Sequence, residues 1–93
     1  MASKILPTNY IVQDEGICGG KPRIAGTRFK VQQVAIEYVH AARPVEQILK
    51  SHPHLSLAQI HAALSYYYDH RDEIEADIQE GWEYAKRMEA GLN

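Results

Sequence analysis

Ser56-Leu57-Ala58-Gln59-Ile60-His61-Ala62-Ala63-Leu64-Ser65-Tyr66-Tyr67 opens as a helix start and continues as a helix face. A serine followed three residues later by glutamine is a capping box. The Ser56 hydroxyl accepts from the amide of Gln59, and the Gln59 side chain reaches back to the amide of Ser56. Leu55 and Ile60 are placed to staple the two sides of that start together. Leu57, Ile60, Leu64 and Tyr67 follow at i, i+3, i+7 and i+10 as the inward stripe, leaving Ala58, Gln59, His61, Ser65 and Tyr66 outward.

Two shorter helices precede this one. Helical spacing begins at Val31, with Val34, Ala35, Tyr38 and Ala42 on the same side. Arg43-Pro44 interrupts it, because proline disfavours a helical residue before itself and suits the first position of a new helix. The second helix therefore spans Pro44 to Ser51, with Val45, Ile48 and Leu49 inward. Two helices joined by a turn as brief as His52-Pro53-His54-Leu55, and closed by a third, are the sequence form of a helix-turn-helix core.

At the N-terminal side, Gly19-Gly20-Lys21-Pro22-Arg23-Ile24-Ala25-Gly26-Thr27-Arg28 gathers glycines, a proline and three cations. Glycine tolerates positive φ and Pro22 has no amide to donate, so this segment reads as a tight basic β-hairpin. Tyr10-Ile11-Val12 is a β-prone run ahead of it, with a turn at Gln13-Asp14-Glu15-Gly16. At the other end, after a break over Asp69 to Asp72, a last helix to Ala90 carries Ile74, Ile78, Trp82, Ala85, Met88 and Leu92 on an acidic background. The fold expected is mainly α, one domain over residues 1–93: a β-hairpin region at 10–30, a three-helix core at 31–68 and an acidic amphipathic C-terminal helix at 69–93.

The net charge of -2 hides a polar division. Met1 to Lys30 holds five cations against two acids, and Asp69 to Asn93 holds eight acids against three cations. A basic head and an acidic tail predict two contact surfaces with oppositely charged partners, solvated faces being the plainer alternative. A chain of 93 residues buries only about 60% of its unfolded surface, which favours a dimer or a partner. No apolar run reaches the roughly 20 residues that span a bilayer, and Met1-Ala2-Ser3-Lys4 lacks a secretory apolar region, so no membrane contact and a cytoplasmic location are expected. The single cysteine, Cys18, excludes an internal disulfide and reads as a small apolar filler.

Catalytic and metal motifs are weak. Gly16-Ile17-Cys18-Gly19-Gly20-Lys21-Pro22 resembles a nucleotide P-loop, but the glycine spacing is one residue short and Pro22 stands where a Mg²⁺-binding hydroxyl belongs. His52 and His54, with Cys18 or His61, could compose a zinc site, yet no CxxC or HExxH frame supports one. No nucleophile, base and acid are recognisably arranged, and Glu73 with Asp77 lies among too many other acids to be singled out. The chain is expected to be no enzyme and to need neither cofactor nor metal. What remains is binding. Gln59, His61 and Ser65 on the third helix, with Lys21, Arg23, Arg28 and Lys30 on the hairpin, are the DNA-contact candidates. Ile74, Ile78, Trp82 and Met88 are the partner-contact candidates, presented as an amphipathic helix for a groove.

From about Ile11 to Ile74 the sequence resembles the bacterial domain-of-unknown-function family 433 (DUF433), also described as VapB-like antitoxins. The blocks are Ile17-Cys18-Gly19-Gly20-Lys21-Pro22-Arg23-Ile24-Ala25-Gly26-Thr27-Arg28, then Val45-Glu46-Gln47-Ile48-Leu49, His52-Pro53-His54-Leu55-Ser56 and Ala62-Ala63-Leu64-Ser65-Tyr66-Tyr67. The resemblance implies a homeodomain-like three-helix fold with an N-terminal β element. It also implies a toxin–antitoxin role, in which such a protein neutralises a ribonuclease toxin of the PIN or MazF type and represses its own operator DNA. The alternative is a stand-alone DNA-binding transcriptional regulator with no toxin. Two positions depart from the family's pattern: Ala41-Ala42 stands where a glycine often ends the first helix, and Lys30 where Ser, Thr or Pro more often opens it.

Overall fold

The computed structural model describes residues 9–91. Lys4 and the rest of the first eight residues, and Leu92 at the end of the apolar stripe, lie outside them. The basic segment forms a ribbon around one short strand. β1 (Ile11–Val12) pairs antiparallel with β2 (Arg23–Ile24), Ile11 opposite Ile24 and Val12 opposite Arg23. On its other edge β2 is bracketed by residues 29–31: the Ile24 amide donates to the Phe29 carbonyl at 2.9 Å, and the Val31 amide donates to the Pro22 carbonyl at 2.9 Å. Pro22, which lacks a donor, thus still serves as an acceptor. The turn expected ahead of the basic segment forms, the chain turns again at 25–26, and the regular ladder lies between β1 and β2. Cys18, Gly19 and Gly20 have φ of 53°, 64° and 76° in succession, a backbone path that needs glycine at most of its positions. The Cys18 thiol donates to the Arg28 carbonyl at 3.5 Å and ties this turn to the ribbon.

α1 (Val31–Ala35) starts where Lys30 offers its amide to Gln33 Oε1 at 2.9 Å. This is the half of a capping box that needs no hydroxyl, so Lys30 is tolerated at a position that usually favours Ser or Thr. The helix then widens into a π turn over Ile36–His40, closed by the Ala41 amide on the Ile36 carbonyl at 2.8 Å. The wider turn advances the helix face by about one residue. Tyr38, expected inward, is therefore exposed, and Ile36 and Val39 pack on the core instead. Ala42, also expected inward, is exposed and reverses the chain with φ of 54°.

Pro44 caps α2 (Val45–Ser51) from outside rather than opening it. α3 (Leu57–Asp69) has both capping-box bonds, Gln59 N–H to Ser56 Oγ at 3.2 Å and Ser56 N–H to Gln59 Oε1 at 2.8 Å. Ile60, Ala63, Leu64 and Tyr67 fill its inner face, but Leu57 is 49% exposed. It stands on the first turn, and Leu55, buried just before the cap, closes that end of the core in its place. These side chains join Ile24, Val31, Val34, Ala35 and Ile48 in one cluster. The break before the last helix narrows to His70, and α4 (Arg71–Gly91) follows directly. Among the described residues the result is a mainly helical fold with four helices and one small antiparallel sheet. Among the described residues, no helix is long and apolar enough to cross a membrane.

α4 is fixed by its first two turns. Ile74 and Ile78 are each 1% exposed and complete the core, whereas every described residue from Gln79 onward is exposed. The take-off direction is set by a polar tie. The fully buried Tyr67 donates its hydroxyl to Glu75 Oε2, and His40 Nε2 lies 3.0 Å from both Glu75 oxygens. Donation from Tyr67, then from His40, holds the Glu75 carboxyl below its ordinary 4.5 in spite of its burial. Burial, and after it the same carboxylate, pushes the Tyr67 phenol up.

Two outcomes follow from this packing. A left-handed non-glycine residue costs about 1–2 kcal/mol, partly offset by glycine's larger unfolded-state entropy. Ala42→Gly is expected to raise the urea midpoint, by up to about 1 kcal/mol in stability, while the β-branched Ala42→Val lowers it. A depressed carboxyl contributes stability that is complete above its unfolded pKa and is lost as pH falls through the folded one. Thermal melts should therefore show wild type above Glu75→Gln at neutral pH, with the two curves converging below the ordinary carboxylate value of 4.5.

Candidate functional site

The four hairpin cations do not form one free basic patch. Arg23 is buried: its Nη1 donates to Asp14 Oδ2 at 3.0 Å and its Nε to the Thr27 carbonyl at 3.1 Å, so it holds the ribbon's turn. Lys21 donates to Asp77 Oδ1 on α4 at 2.7 Å. That bond, opposed by desolvation, raises its ammonium above the ordinary 10.5. The basic head and the acidic tail thus meet within one chain. Arg28 is exposed and Lys30 half-buried.

The outward face of α3 is divided as well. Gln59 has its side-chain oxygen committed to the Ser56 amide. His61 and Ser65 are exposed. Ser65 borders a cavity of about 270 Å³ with Tyr10, Ile11, Ala62, Tyr66 and Asp69, where β1 leans on the helix. α3 carries no lysine or arginine.

The partner stripe divides at Ile78. Ile74 and Ile78 belong to the chain's own core and are not presented to a partner, a correction to the single stripe read from the spacing. The physical reason is length. The body is deep enough to cover only the first two turns of a helix that runs about 30 Å. Trp82 and Met88 remain 41% and 50% exposed, and Tyr84 is exposed on a different face from Trp82. Trp82 leans edge-on against the His40 ring, centroids 5.1 Å apart.

A second face of α4, carrying Asp77, Glu80, Gly81, Tyr84 and Arg87, looks back at the ribbon. With Lys21, Lys30 and Gln32 it lines a cavity of about 280 Å³. A side-chain carbon added at Gly81 would meet nothing within 4 Å. These positions recur at i, i+3, i+4, i+7 and i+10. That spacing is helical and visible in the sequence, but it does not say which element the face meets.

The histidines do not converge. His52 Nε2 pairs with Glu37 Oε2 at 2.8 Å, beside Arg43 Nη1 at 3.3 Å from Glu37 Oε1. Its ring abuts Phe29, with His54 a further neighbour. His40 serves Glu75, and His70 stacks on Tyr66. Among the described residues, no group of three or more His, Cys, Asp or Glu side chains is placed to hold a metal ion.

Comparison with curated proteins gives no match. A solved structure does match: the crystal structure of a DUF433 member protein from Anabaena variabilis ATCC 29413. It aligns with a TM-score of 0.70 and 31% sequence identity over 76% of this chain and 69% of that one. Residues 11–67, from β1 to the buried Tyr67, match the family described as "Protein of unknown function (DUF433)". With more than half of its length covered, from the glycine-rich ribbon to the end of the trihelical core, the chain belongs to the DUF433 family.

Proposed function

We propose that this protein is an antitoxin-like, non-catalytic binding protein that neutralises a ribonuclease toxin of the PIN or MazF type through the exposed part of α4. The observation that carries the reading is the division of that helix. Ile74 and Ile78 root it in the core, and the arm beyond them leaves Trp82, Tyr84 and Met88 uncovered among Glu80, Glu83 and Glu89. Covering Trp82 and Met88 contributes about 1.5–3 kcal/mol each before ordering costs. The carboxylates orient the arm toward a basic surface such as an RNA-binding groove. The mechanism is occlusion: an acidic amphipathic helix occupies the groove that RNA needs. A homodimer belongs to the same proposal.

In this reading α2 and α3 form a homeodomain-like helix-turn-helix, and the operator contacts come from His61, Ser65 and Arg28, with Gln59 joining through its amide nitrogen. A stand-alone regulator without a toxin is the second reading. It is favoured by the exposure of His61 and Ser65 on α3 and of Arg28 on the ribbon.

Co-expression with the product of an adjacent ribonuclease gene separates the two. Under the first reading the proteins co-purify, and Trp82→Ser with Met88→Ser abolishes co-purification and restores toxicity while the circular dichroism spectrum is unchanged. Lack of co-purification by the wild type would sink it. For the DNA contact, log K should fall with log salt by about 0.9 per phosphate neutralised, and Arg28→Ala should shrink that slope by about one contact. Arg23→Ala is the wrong variant, since it removes a buried support of the ribbon.

A further inference from the structure

We infer that His40 is a proton-operated clasp on α4: its ring meets the helix on both sides of Gly81, at Glu75 and at Trp82, and protonation of the ring closes it. The device belongs to the chain itself and depends on neither a toxin nor an operator.

Glu75 and Trp82 are seven residues apart, so they share one face of α4 at a separation of about 10 Å along its axis. His40, at the end of the π turn, reaches both. Its Nε2 lies 3.0 Å from each oxygen of Glu75, and its ring centroid is 5.1 Å from that of Trp82, with the two rings at 79°. Glu75 stands on the rooted part of the helix, next to Ile74 and one turn from Ile78 in the core. Trp82 stands on the exposed part. Gly81, just before it, is where the helical backbone is least constrained. One imidazole therefore joins the two parts across the most yielding position between them.

The charge on that ring decides how firmly it holds. An imidazolium has a proton on both nitrogens, so Nε2 always has one to donate to Glu75. The neutral ring has a single proton, and in its Nδ1–H tautomer Nε2 meets the carboxylate lone pair to lone pair, which turns the ring away. Protonation thus replaces a tautomer-dependent hydrogen bond by a charged one that keeps the ring against Trp82. The surrounding groups leave this pairing intact. From α4 the ring meets Glu75, on which Arg71 also acts. From α3 the Tyr67 hydroxyl reaches it only through Glu75. On its own turn Glu37 is committed to His52 and Arg43.

Glu75, held below its ordinary 4.5, stays ionised over the range in which imidazoles titrate, about pH 5 to 8. The charged pair is therefore complete on the acid side of that titration and is lost as pH rises through it. Loss of the carboxylate charge opens the clasp again only below 4.5. His40 keeps 29% of its side-chain surface exposed, so solvent protons reach it. Trp82 is also the first uncovered aromatic of the arm, and the clasp sets how much of it is left for anything else to cover.

The test uses the full chain and its single tryptophan, Trp82. An imidazolium in contact with an indole quenches its emission. Emission and access to acrylamide are followed from about pH 8.5 to about pH 5, the range that brackets an imidazole titration. Emission should fall in one step, and acrylamide should reach Trp82 about threefold less readily at the acid end, the scale of a partly exposed ion pair. His40→Gln should flatten both curves, and His54→Gln, between α2 and α3, should leave them as in the wild type. Heteronuclear NOE values of the amides over residues 82–91 should rise on acidification. In Gly81→Ala, where the added methyl meets nothing, those values should be high throughout while the emission step persists. Flat emission, a step that survives in His40→Gln, acrylamide access that increases on acidification, or arm amides that do not respond would each overturn the clasp. The wild-type titration needs no variant, so the test stands even if His40→Gln fails to fold.

Discussion

The phenol of Tyr67 is wholly buried in an apolar core, and a hydroxyl in that position must find an acceptor or cost the fold several times what a made bond contributes. Its acceptor is Glu75, and because Glu75 is on the next helix the requirement fixes where α4 begins and in which direction it leaves. His40 completes the carboxylate's shell from the end of the π turn, so three elements converge on one charge. The burial of Ile74 and Ile78, the meeting of Lys21 with Asp77 and the opening of the cleft beside them all depend on that direction.

The uneven distribution of charge acquires a different meaning once the chain is folded. An acidic tail and a basic head suggest two faces for two partners, but the first contact each finds is the other. Lys21 and Arg23, the cations nearest the ribbon's turns, support the structure through Asp77 and Asp14. The cation density of a segment therefore overstates its exposed potential. Polymers with opposite charge at their two ends tend to neutralise themselves before they neutralise anything else.

Much of the fold was legible because its signals are local. The Ser56–Gln59 cap formed as read, the glycine-rich segment turns as read, and a break precedes α2 as read, although it begins at Ala41–Ala42 and Pro44 lies just outside the helix. The stripe of α3 was legible except at Leu57, where burial depends on what lies beyond the helix end. The π turn was not legible: a single added residue per turn leaves no mark in composition, and it moved Tyr38 from the inside to the outside. For the candidate site, Lys21 and Lys30 could be named from sequence. Gln32, Tyr84 and Arg87 could not be joined to them, because the approach of α4 to the ribbon depends on contacts distant in sequence: Ile74 and Ile78 in the core, the Tyr67–Glu75 bond and the Lys21–Asp77 pair.

Gly81 stands at the boundary between the rooted and the free parts of α4, with open space where a methyl group would fit. Glycine inside a helix weakens it by roughly 1 kcal/mol relative to alanine. The helix is thus thinnest in conformational terms at its shoulder. The outer segment can unwind, rewind or stiffen as a unit while the trihelical body is undisturbed, which gives a protein of this size two mechanically separate parts on one continuous backbone.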